Sequence, residues 1–132
     1  MENIIKAMKS LEFFRHRQPV SVSEVNRAEQ ELGLKFSEDY RTYVETFGII
    51  SAYSLELTGI TESERLNVIS ATRAAWEFHN HVPRNFYLIE DAAFDGILIW
   101  QDSSGNIYET TPNQQPNKIC SSLAEYVIQS GN

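Results

Sequence analysis

Apolar residues recur along the first third of the chain at intervals of three and four, the signature of helices buried on one side. Ile4, Met8 and Leu11, flanked by Ile5 and Phe14, form one such stripe and predict a helix over residues 3–14. Gln18-Pro19 closes it, because the residue before a proline is pushed out of the helical region. Ser21-Val22-Ser23-Glu24 has the form of a capping box and opens a second helix, with Val22, Val25, Ala28 and Leu32 on its inner face and Gly33 supplying the left-handed residue that ends it. Ser37 is the expected N-cap of a third helix. Glu38 and Asp39 suit the positive end of its dipole, Tyr40, Tyr43, Val44 and Phe47 make its apolar face, and Gly48 ends it.

The period then changes to two. Across residues 49–60, Leu55, Leu57 and Tyr53 alternate with Ser54, Glu56 and Thr58, predicting one half-buried strand. Asn67 caps a helix reaching Phe78, with Val68, Ala71, Ala75 and Phe78 on one side and Ile69 and Trp76 broadening it, before His79-Asn80-His81-Val82-Pro83 breaks it. Residues 86–89 and 97–100 are apolar runs too short for helices, so they read as buried strands around a turn at 91–96. Asp102-Ser103-Ser104-Gly105-Asn106 is a hairpin signal, with residues 107–110 as the returning strand. A loop over 111–118 leads to Ile119-Cys120 and to Ser122-Leu123-Ala124-Glu125, another capping box, whose helix docks through Leu123, Tyr126 and Val127. The predicted class is α+β: about five helices packed with a curved, mostly antiparallel sheet in a single domain over 1–132.

The succession of these motifs resembles a known family. VSEVNRAEQELGLKFSEDYRTY, residues 22–43, is similar to the N-terminal signature of the SUKH superfamily: an acidic helix ending in Leu-Gly, a hydrophobic link, then an acidic residue and an aromatic opening the next helix. Thr72-Arg73, Asp95-Gly96-Ile97-Leu98-Ile99, Ile107-Tyr108 and the terminal Ser122-Leu123-Ala124-Glu125-Tyr126-Val127 follow in the family's order. The chain departs from the family at Ser37, often proline there, and at Phe47-Gly48-Ile49-Ile50, where an Asn-Gly-Gly-like turn is common. The resemblance implies a cofactor-free protein-binding scaffold. Its members include bacterial immunity proteins that neutralise toxins, often nucleases or deaminases, and cytoplasmic regulators or adaptors, among them a fungal regulator of cell-wall synthesis.

Composition narrows the partner. Eleven basic against eighteen acidic residues give a net charge of −7, of which −6 falls in residues 46–132. Phosphate contacts need clustered Lys and Arg, and the sole dense basic cluster is Arg15-His16-Arg17, so direct nucleic-acid binding is disfavoured and a basic partner is attracted. No stretch approaches the roughly 18 to 20 apolar residues of a membrane span, and Met1-Glu2-Asn3-Ile4-Ile5-Lys6 lacks a signal-peptide pattern. With Cys120 the single cysteine, no internal disulfide forms, and a cytoplasmic monomer is expected.

His79 and His81 are two apart, without the spacing of a zinc site, and are expected in solvent at a helix end, where a protonated ring suits the dipole. No Gly-x-Ser-x-Gly elbow or Gly-rich phosphate loop is present, and Cys120 reads as a small buried residue. Glu90-Asp91 with Asp95 has the composition of an acid-base pair, but carboxylates in a turn are usually just solvated. Neither a catalytic residue nor a metal ligand nor a cofactor is assigned. The acids instead suggest a docking face. Glu56, Glu62 and Glu64 around the first strand, Glu90, Asp91 and Asp95 at the second turn, and Asp102 and Glu109 around the hairpin are the candidate partner-binding residues. Tyr53, Phe94, Trp100 and Tyr108 are anchors if exposed and core residues if not.

Overall fold

Each N-terminal helix begins where a side chain takes over the unpaired amides of its first turn. In the computed structural model, which describes residues 3–92 and 95–131, Asn3 accepts from the Ile5 and Lys6 amides and opens α1 (Ile4–Lys9). Ser21 accepts from the Glu24 amide and opens α2 (Val22–Leu32), which ends at Gly33 with φ of 71°. Ser37 accepts from the Tyr40 amide and opens α3 (Glu38–Phe47). α1 is shorter than its apolar stripe. The chain turns at Phe13, φ 58°, and runs extended as β1 (Arg15–His16), so Phe14 packs against Phe47 from the residue just before a strand and not from a helix. Val22, expected on the inner face of α2, is exposed, because the first turn projects into solvent.

The strand expected over 49–60 is two strands, β2 (Ile50–Ala52) and β3 (Leu55–Glu56), joined by a turn that carries Tyr53 outward. With β1 they form a three-stranded antiparallel sheet in the order β1-β2-β3. α4 (Val68–Phe78) follows, its first turn capped by Asn67. Then β4 (Tyr87–Asp91), β5 (Leu98–Gln101), β6 (Ile107–Thr110) and β7 (Asn117–Cys120) make an antiparallel meander, and Ser122 caps α5 (Leu123–Ser130). The single curved sheet of the sequence reading is thus two sheets, tied where the Thr58 amide donates to the Ile89 carbonyl at 2.8 Å.

Helices cover both faces of the meander, which explains why β4 and β5 are apolar without alternation. Tyr87, Ile89, Ile99 and Ile107 face the core shared with α1, α3 and α5. Leu88, Leu98 and Trp100 face Ala71 and Ala75 of α4. Among the described residues, buried polar side-chain atoms inside this packing are matched, His79 Nδ1 excepted. The Tyr87 hydroxyl accepts from the Ser37 amide and donates to Gln101, whose amide donates to Asp39, and Asp39 accepts the Leu123 amide at 2.7 Å. Asp39 therefore joins the starts of α3 and α5.

Two glycines fix the seam between the N-terminal helices and the small sheet. The Ile60 amide donates to the Gly48 carbonyl, and a Cβ on Gly59 would lie 1.9 Å from that oxygen.

Candidate functional site

Along α4, Ala71, Ala74, Ala75 and Phe78 stand at spacings of three and four and so share one stripe. Alanine side chains do not fill the space above β4 and β5. What remains is a groove of about 550 Å³ floored by Leu88 and Leu98, with Glu64, Arg65 and Asp91 on its rim and Phe78 and His79 at its end. Phe78 was expected inside; it is 84% exposed at the last position of α4, while the next residue, His79, meets Trp100 of β5 edge-on.

The structure separates the eight acids into those that serve the fold and those that face solvent. Glu64 and Asp91 rim the groove, and exposed Asp95 precedes Gly96, which lines it. Glu56 joins them through Arg65, which it pairs at 2.8 Å and whose pKa it raises by hydrogen bonding and charge. Glu62 lies apart, in a shallow groove with Arg17 and Pro19. Glu90 turns inward, accepting from the Glu56 amide and the Tyr126 hydroxyl, and thereby ties β4 to β3 and α5. Burial raises its pKa above the usual carboxylate range, against the lowering effect of those two hydrogen bonds. Glu109 is paired across the sheet with Ile99, as Glu90 is, so both project to the α5 side. Asp102 sits at the opposite end of β5 from Asp95 and locks the β5–β6 hairpin, accepting from the Ser104 and Asn106 amides and the Tyr108 hydroxyl.

The aromatics divide similarly. Trp100 is fully buried, its indole donating to Thr110, and Tyr108 stacks on Phe86 at 4.3 Å. Tyr53 is exposed and leans on Phe13; Phe94 lies outside the described residues. Phe78 and Arg65, which complete the groove, were missed in the sequence. The signal for Phe78 was present: it shares the stripe of three alanines, which marks a helix face too thin to cover its neighbour.

His79 differs from expectation as well. Partial burial and the nearby His81 lower its pKa, so the ring is biased against the protonated form that suits a helix C-terminus. Burial pushes the Cys120 thiol up to about 11, which disfavours the thiolate needed of a nucleophile. No group of three or more His, Cys, Asp or Glu among the described residues is arranged to hold a metal ion. Among those residues no helix is long and apolar enough to cross a membrane. The arrangement suits non-covalent capture: a concave apolar floor, an exposed ring and a rim of carboxylates.

No curated protein matches the chain. The family described as SUKH_5, SMI1-KNR4 cell-wall, matches residues 1–130. That match spans both sheets and all five helices described above, including the Leu32-Gly33 corner and the α4 stripe, and on it the chain belongs to the SMI1-KNR4 family of the SUKH superfamily.

Proposed function

We propose that this protein is a cytoplasmic immunity protein that neutralises a cognate toxin domain, most plainly a basic nuclease, by docking onto it without bond-making of its own. The family match over residues 1–130 carries this reading. The acid-rimmed groove of α4, β4 and β5 gives it a surface: Glu64, Asp91 and Asp95 attract a basic protein, while Phe78 and the apolar floor receive an anchoring side chain. A monomeric scaffold with no cofactor suffices for such capture. The test is co-expression with the toxin domain encoded beside this gene, scoring survival and co-purification. Rescue with a one-to-one complex is the expected outcome; undiminished toxicity overturns the reading. A second reading, a regulatory adaptor of the same fold, rests on the cell-wall term in the family's description. A gene with no toxin neighbour favours it.

A further inference from the structure

The Arg15-His16-Arg17 cluster stands out in an acidic chain, and docking of a basic toxin makes no use of it. β1 places it at the edge of the three-stranded sheet, where Arg15 is paired across the strands with Ser51, and Ser51 with Glu56. Directly opposed residues share a face, so Arg15, Ser51 and Glu56 project together, and Arg17, two residues on from Arg15, falls on the same side. These residues, with Ile49, Ile50 and Leu66, line a cavity of about 360 Å³, within the range of small-molecule pockets.

The charges around this cavity are unequal. Among the described residues, neither Arg15 nor Arg17 forms an ion pair, and the one lining carboxylate, Glu56, is already engaged by Arg65 at 2.8 Å. Arg15 and Arg17 therefore line the cavity without an ion-pair partner, beside Ser51, although Arg17 also borders the groove of Glu24 and Glu62. The Arg17 amide is committed to the Phe47 and Ile49 carbonyls, and His16 to the Arg17 carbonyl, so the backbone carrying the two arginines is held in place. Planar guanidinium forks match the paired oxygens of a phosphate. Ile49 and Leu66 suit an apolar body attached to it.

We propose that this cavity is a binding site for a small phosphorylated ligand, its phosphate held between Arg15 and Arg17 and its apolar portion resting on Ile49 and Leu66. The cavity shares no lining residue with the α4 groove, which it adjoins through the Glu56–Arg65 pair, and the proposal stands whether or not a toxin is the partner. It is tested on the full chain by amide chemical-shift titration with inorganic phosphate and pyrophosphate, with citrate as a carboxylate comparison and sodium chloride as the ionic-strength control. The expected result is saturable shifts confined to amides 15–17 and 49–51 at millimolar pyrophosphate. Arg15→Gln with Arg17→Gln abolishes them, whereas Arg27→Gln, which removes an exposed charge on α2, leaves them intact. Ser51→Val narrows the cavity with both charges kept and weakens binding at least tenfold, which separates a shaped site from mere attraction. Shifts that scatter over the surface, fail to saturate, persist in the double variant or follow citrate in preference to phosphate overturn the proposal.

Discussion

Glu90 is a carboxylate that the fold uses twice and ionises at a cost. Its oxygens satisfy the Glu56 amide and the Tyr126 hydroxyl, yet burial holds its pKa above the ordinary value of 4.5. The folded chain thus binds this proton more tightly than the unfolded chain, so the stability linked to it is present at low pH and declines as pH rises from about 4.5 through the folded value. Glu90→Gln keeps an acceptor for the amide and abolishes the decline. In urea unfolding, the variant is expected to gain on the wild type as pH is raised from about 4.5 to neutrality; a constant difference would contradict this. Glu90→Ala leaves both donors unpaired and is expected to cost about 1–3 kcal/mol. From the sequence, Glu90, Asp91 and Asp95 were equivalent acids of one turn. Nothing in a linear string distinguishes a carboxylate folded under Tyr126, thirty-six positions later, from one left in solvent.

Among the elements, what the chain spells out locally was legible, and what depends on distant packing was not. Ser21, Ser37, Asn67 and Ser122 each open a helix as read, because a cap needs only the next three residues. Asn67→Ala is expected to lower stability by about 1 kcal/mol in thermal or denaturant unfolding, without altering the fold. The end of α1 escaped, since it follows from pairing of Arg15 with Ser51 across thirty-six positions, and the split into β2 and β3 escaped because its turn at Tyr53-Ser54 carries no Gly, Asn, Asp or Pro. The groove escaped because Ala71, Ala74, Ala75 and Phe78 read as a buried face until Leu88 of β4 and Leu98 of β5 are placed beside them and the space between is left open. The seam at Gly59 is likewise invisible in sequence. Gly59→Ala forces a methyl group onto the Gly48 carbonyl and is expected to destabilise by about 1–3 kcal/mol or more, read as a lower denaturation midpoint.

At the scale of the whole molecule, the acids of residues 46–132 are dispersed, and only Glu64 and Asp91, with Asp95 next to Gly96, border the α4 groove. If the proposed toxin is the partner, converting Glu64, Asp91 and Asp95 to lysine is expected to slow association with it about tenfold or more at low ionic strength and to flatten the salt dependence of the rate. Phe78→Ala is expected to change stability by less than about 0.5 kcal/mol, since the ring is exposed, while speeding dissociation about tenfold or more. Equal rates for these variants and the wild type would put the interface on another face. The cysteine count of one gives the molecule a built-in reporter. Cys120 ends the meander, 2% exposed, with its sulfur against Gln129 of α5. A maleimide dye should therefore leave the native protein unlabelled and mark it only when the C-terminal helix lifts away, turning the kinetics of labelling into a stopwatch for how often that helix detaches.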